Sequence, residues 1–226
     1  MRNYFFESQL PAACLAFPSL KVIKENGEKF LRGELQIIDA TGKLWDTYII
    51  EIKSSLEFPY RFPKLYEIGG AFPKIMDWHV YEEDDSCCVD VIQNELILCK
   101  QGISLMNYLN QFAVPYFANQ TFRRKEGYYL YGEYSHGIFG RIEYYQNKLN
   151  AKSLAQLIVM LKFVVFGPDL SRNAKCPFCT KTRFRKCHQH PIKELKSIKD
   201  FVHFDLTTQL SPFSTDNPRY RLPIKI

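Results

Sequence analysis

A chain of 226 residues has room for one substantial core, or for one core with a small appendage. With 46% apolar and 15% aromatic residues it should pack rather than stay disordered, and no apolar run approaches the roughly 18 residues of a membrane span. The net charge of +6 is modest, too small by itself to argue for nucleic acid, but it is unevenly spread.

The opening Met1 to Glu7 carries a short apolar patch followed at once by Glu7 and Gln9, a poor secretory signal. A soluble, cytoplasmic protein is expected, and a cytosol keeps thiols reduced. The seven cysteines then read as metal ligands, a nucleophile or small core residues rather than a disulfide framework. Residues 21–53 read as a β-meander of three antiparallel strands, with turns at Asn26-Gly27 and Thr41-Gly42. Tyr48, Ile50 and Ile52 alternate along the last of them. Pro59 and Pro63, set among aromatics in residues 56–65, predict an extended crossing segment, since proline has no N–H for a central ladder. Residues 66–103 show little periodicity and hold Trp78-His79, the acidic run Glu82 to Asp85, and the pair Cys87-Cys88. Leu105, Leu109, Phe112 and Tyr116 predict an amphipathic helix over 103–118 that Pro115 should end or kink. The tyrosine- and glycine-rich stretch 128–145 reads as loop with at most a short helix. Leu154, Leu157, Ile158, Leu161 and Val165 form the stripe of a further helix, with Asn150 able to cap its start and Gly167-Pro168 to stop it.

The meander, the segment Phe58-Pro59-Tyr60-Arg61-Phe62-Pro63, His79, and the run Cys88-Val89-Asp90-Val91-Ile92 nine residues later resemble, in order and spacing, the ubiquitin-conjugating (E2-like) family over about residues 20–150. The resemblance implies that Cys88 accepts a ubiquitin-like protein as a thioester from an E1-like activating enzyme and passes it to an amine of a target protein. That chemistry needs an accessible thiol that leaves well, and no Cys–His ion pair, because the acyl group arrives activated. The acidic run should raise the Cys88 pKa, which argues against a papain-like hydrolase. Cys87 should face inward, as neighbours on an extended chain do, and Cys14 and Cys99 read as packing residues. Val80 and Tyr81 stand where the family has proline and asparagine, so no oxyanion donor is implied. His79, His136 and Asn94 remain as substitutes, with His79 and His136 chosen as catalytic candidates. The family's N-terminal helix reads as weak or shortened. These departures resemble divergent bacterial E2-like proteins, often encoded in antiviral operons.

Cys176-Pro177-Phe178-Cys179, followed by Cys187-His188-Gln189-His190, offers three thiolates and an imidazole on short loops, which suits structural zinc; His188 or His190 supplies the fourth ligand. A region this small would hardly order without such a staple. The order Cys176-Pro177, Phe184, Arg185-Lys186, Cys187-His188 resembles the SEC-C zinc motif, without its glycines and with Cys179 one residue late, and implies a docking or structural role. Basic residues between Arg172 and Lys199 permit nucleic acid or an acidic protein face as partner.

The fold class expected is α+β, a four-stranded antiparallel meander packed on helices, over residues 1–150. A linking helix (151–167) and a basic zinc-binding region (168–226) follow. Two rivals stand beside the carrier: an interaction scaffold with an E2-like or RWD-like fold that has lost catalysis, and a zinc-dependent nucleic-acid binder.

Overall fold

Strand β1 (Leu20–Glu25) turns into β2 (Glu28–Ile38) through Asn26 and Gly27, both at positive φ, with Glu25 opposite Glu28. That is the two-residue hairpin an Asn-Gly pair favours. The turn to β3 (Leu44–Lys53) is held by Asp39, whose carboxylate accepts from Thr41 N, Lys43 N and the Trp45 indole. A fourth strand, β4 (Lys64–Glu67), pairs with β3 and completes an antiparallel sheet in the order 1-2-3-4. The computed structural model describes residues 2–130, 134–179 and 182–211. The chain divides into two compact units, residues 1–133 and 134–226.

In the first unit one face of the sheet (Leu31, Leu35, Tyr48, Ile50, Ile52, Leu65) buries against helices on one side of the core. Helix α1 (Tyr4–Ala16) contributes Phe6, Leu10 and Ala13, all buried. It was expected to be weak, yet it runs 13 residues through Pro11. A proline inside a helix costs about 3 kcal/mol. Burying Phe6 and Leu10 returns roughly 1.5–3 kcal/mol each, so packing wins over propensity. Asn3 accepts from Phe6 N and donates to Phe58 O (2.8 Å), fixing the helix start to the crossing segment.

Helix α2 (Ile92–Cys99) lies in the stretch without periodicity. Helix α3 (Leu105–Tyr108), capped by Ser104, passes through a π turn (Leu109–Ala113) into α4 (Val114–Glu126). Pro115 therefore does not end the helix: it sits in the first turn of α4, just after the π turn, where a missing N–H costs least. Gly127, at φ 84°, ends it instead.

The second unit holds α5 (Gly137–Leu149), α6 (Leu154–Phe166), α7 (Gln189–Lys196) and α8 (Lys199–Phe204). The expected span 1–150 thus takes in α5, which in the structure groups with the C-terminal unit. The stretch read as loop gives three turns of α5, because Ile142, Tyr145 and Leu149 have a core to face. Asn150 closes α5 in the left-handed conformation (φ 49°), and Ser153 caps α6 through Gln156 N. Leu157, Leu161, Leu195 and Val202 complete a second apolar core. The basic region therefore has apolar packing of its own. Inside it the Asp205 carboxylate is fully buried, bound by Arg141 (2.6 Å) and the Tyr145 hydroxyl (2.8 Å). Among the described residues no single helix is long and apolar enough to cross a membrane.

Candidate functional site

The chain leaves the sheet at β4 and, after a single 3-10 turn (Met76–Trp78), reverses through His79, whose φ of 51° is left-handed. From there residues 79–88 form a short hairpin. Val80 bridges Cys87, Tyr81 N donates to Ser86 O (2.8 Å), and Cys88 N donates to His79 O (2.7 Å). Two anchors hold it. Cys87 N donates to Leu65 O on β4, and the Tyr116 hydroxyl donates to His79 O from α4.

Side chains alternate across such a hairpin. Val80 and Cys87 go into the core and are 2% and 7% exposed, while Cys88 is half-buried on the opposite face. The inward direction expected for Cys87 is thus what the hairpin gives. Burial pushes the Cys87 thiol up to about 12. Burial also raises the Cys88 thiol above its ordinary value, a hydrogen bond with the Tyr81 hydroxyl pulls it back, and Asp90 and Glu95 push it up further. The direction is the one expected, but the cause differs. The run Glu82 to Asp85 does not supply it, since Asp84 is paired with Lys64 and Asp85 with Lys74, each at 3.0 Å.

The Cys88 thiol points toward Asp90 O (3.9 Å). The Asp90 carboxylate accepts from Val91 N (2.7 Å) and Asn94 Nδ2 (2.6 Å), which shapes the entry to α2 and engages the Asn94 amide. A cavity of about 750 Å³ opens between this segment and the crossing segment, lined by Arg61, Lys64, Tyr81, Cys87, Asp90 and Glu95 among others. Arg61 pairs with Glu95 across it (2.6 Å).

The His79 imidazole packs edge-on against Tyr129 (5.1 Å), and Arg123 lies over both Trp78 and Tyr129. Its backbone serves Cys88; its ring is held in this aromatic cluster. His136 belongs to the second unit, where it is the N-cap residue of α5 with its side chain making no cap hydrogen bond. Cys99 is buried and Cys14 packs at the core edge. The residue that sequence reasoning passed over is Tyr81. An aromatic at that position carries no sign in the sequence that its hydroxyl would act on the thiol.

In the second unit, Cys176, Cys179, Cys187 and His188 bring four ligand atoms within 4.8 Å of one another, a group that could hold a metal ion. Cys176 Sγ lies 3.3 Å from His188 Nδ1, and Cys179 Sγ 3.2 Å from Cys187 Sγ. A short antiparallel bridge, Lys175 to Arg183, presents the first pair of cysteines, and the 3-10 turn Phe184–Lys186 delivers Cys187 and His188. The His188 Nε2 contacts Leu149 O (3.0 Å), which leaves Nδ1 facing the sulfurs. His190 is exposed and pairs with Glu194 (3.0 Å), so the choice between the two histidines falls on His188.

The chain matches no protein-family model, no curated protein and no solved structure.

Proposed function

We propose that the first unit is an E2-like carrier in which Cys88 accepts a ubiquitin-like protein from an E1-like enzyme and passes it to an amine of a target protein. The observation that carries this reading is the half-buried Cys88, turned away from the core on a hairpin anchored to both β4 and α4, beside a Cys87 that is buried. Three meander strands, the crossing segment leading into β4, the thiol-bearing hairpin and then helices follow the order the family resemblance calls for.

In the first step the Cys88 thiol gives up its proton and its sulfur attacks the incoming thioester carbonyl; a new S–C bond forms, the E1 S–C bond breaks, and the departing E1 thiolate takes up a proton. In the second, an acceptor amine attacks, the C–N bond forms, the Cys88 S–C bond breaks and the amine loses a proton. Cys88 is thus nucleophile once and leaving group once. The hydrogen bond with Tyr81 stabilises its anionic form in both roles, while burial and Asp90 oppose it. A thiol kept largely protonated until charging suits a carrier that must not react with every electrophile it meets.

For the second unit we propose structural zinc held by Cys176, Cys179, Cys187 and His188 Nδ1. Zn–S bonds of about 2.3 Å and Zn–N bonds of about 2.0–2.1 Å in a tetrahedron place ligand atoms roughly 3.5–3.8 Å apart; here all four lie within 4.8 Å of one another, three of the separations being 3.2, 3.3 and 3.7 Å. Four protein ligands fill such a site, so its contribution is to close the loops; His188, tied to Leu149, would join it to α5.

The test is a charging assay with an E1-like enzyme, its modifier and ATP, run on non-reducing gels. A thiol-sensitive adduct, absent in Cys88→Ser and present in Cys87→Ser, is the expected result. No adduct on wild type, with the E1-like enzyme itself charged, replaces the carrier by an interaction scaffold.

A further inference from the structure

From Leu170 to Lys193 the sequence carries seven lysines and arginines and no aspartate or glutamate. Five of them, Arg172, Lys175, Arg183, Arg185 and Lys186, are exposed on the loops that present the Cys/His cluster. Among the described residues none of the five makes an ion pair. The flanking carboxylates are engaged elsewhere, Asp169 with Lys196 and Glu194 with Lys148 and His190.

The backbone crowds these charges. Lys175 and Arg183 are direct partners in an antiparallel bridge, with Cys176 N donating to Thr182 O and Phe184 N to Ala174 O. They form a non-hydrogen-bonded pair, the arrangement in which facing Cα atoms come closest, about 4.5 Å. Like charges placed so are destabilising. Beyond this bridge Arg185 N donates to Arg172 O (3.4 Å), which brings the backbones of two further cationic residues together. A metal centre with three thiolates and a neutral imidazole would leave one negative charge, too little to offset this.

We infer that this knuckle is a binding surface for the phosphate backbone of a nucleic acid duplex. Polyanion binding relieves the repulsion that the fold imposes on it. The surroundings select this partner over others. Among the described residues no large apolar side chain between Phe166 and Phe204 is exposed. A membrane-surface element needs such side chains to enter the bilayer, a specific protein interface needs an apolar or aromatic centre, and single strands need aromatic platforms. Phosphate contacts by lysine and arginine need none of them and read no sequence. The surface does not depend on whether Cys88 carries cargo.

The test is fluorescence anisotropy of the full-length protein with labelled 25-base-pair duplexes of two unrelated sequences, across a salt series. Five phosphate contacts predict a slope of log K on log salt of about −4.5, equal for both sequences. Lys175→Gln/Arg183→Gln/Arg185→Gln, with its zinc content verified, should flatten that slope by about 3 and weaken binding at least tenfold at low salt. A wild type that does not bind either duplex at low salt overturns the inference, whatever the variant does. So does a variant that binds as wild type, or wild type that prefers phosphatidylserine vesicles or polyglutamate to the duplexes.

Discussion

Tyr81 and Cys88 stand on the same side of the residue 79–88 hairpin, two rungs apart, and the Tyr81 hydroxyl draws the thiol's pKa down. Replacing Tyr81 by phenylalanine deletes one hydrogen bond to an ionisable sulfur, worth about 1.5 kcal/mol in the anionic form, so roughly a tenfold loss in thioester formation is expected at neutral pH. Alkylation by iodoacetamide separates this role from a packing role. With its pKa raised, Cys88 should react slowly at pH 7 and faster as pH climbs past the ordinary thiol range. In Tyr81→Phe the whole profile should move to higher pH; a profile that stays in place would assign Tyr81 a merely structural part. Cys87 makes a second, stability-linked prediction. Its folded-state pKa of about 12 exceeds the ordinary thiol value, so the protonated form is the one the fold favours. Its stabilisation is complete below about pH 8.5 and is lost as pH rises toward 12. Denaturant titrations at pH 7, 9 and 10.5 should show the midpoint falling, and falling less in Cys87→Ala.

Gly33 shows what the meander demands of one element. Leu20, the first residue of β1, pairs with it, and a Cβ built there would lie 2.1 Å from Ser19 O, a backbone atom with nowhere to go. Gly33→Ala should cost about 1–3 kcal/mol, as overpacking does, and chemical denaturation should show it as a lower midpoint at unchanged slope. The sheet was readable because its turns carry their own signal: Asn26-Gly27 and the Asp39 loop dictate local backbone whatever packs above them. The helices were less so. The N-terminal helix through Pro11, α2, and the continuation of α4 past Pro115 all depend on tertiary burial that outweighs a local penalty. In the same way α5 takes a tyrosine-rich stretch because Tyr145 can bond the buried Asp205, 60 residues away.

At the scale of the molecule, each of the two units has a core of its own, and the Cys/His cluster belongs to the second. If zinc sits there, stripping it with a chelator should expose amides of α5 and α7 to hydrogen exchange, since His188 begins α7 and bonds Leu149 at the end of α5. Amides of β2 and β3 should keep their protection. Equal loss of protection in both sets would mean that the cluster is not a local staple. Cys187→Ser should reproduce the chelator pattern without chelator and reduce bound zinc, measured by elemental analysis, from one equivalent to well below it.

By itself the sequence determined the meander, the inward direction of Cys87 beside Cys88, and the set of thiols that could meet around a metal. Each of these is encoded in adjacent or closely spaced residues, through turn chemistry, alternation along an extended chain, or a CxxC spacing. Only the tertiary structure decided that His188 rather than His190 completes the cluster, that the Cys88 pKa is set first by burial and not by Glu82 to Asp85, and that the Tyr81 hydroxyl acts on the thiol. Those outcomes depend on which groups from distant segments share a low-dielectric space, and residue order alone does not carry that information.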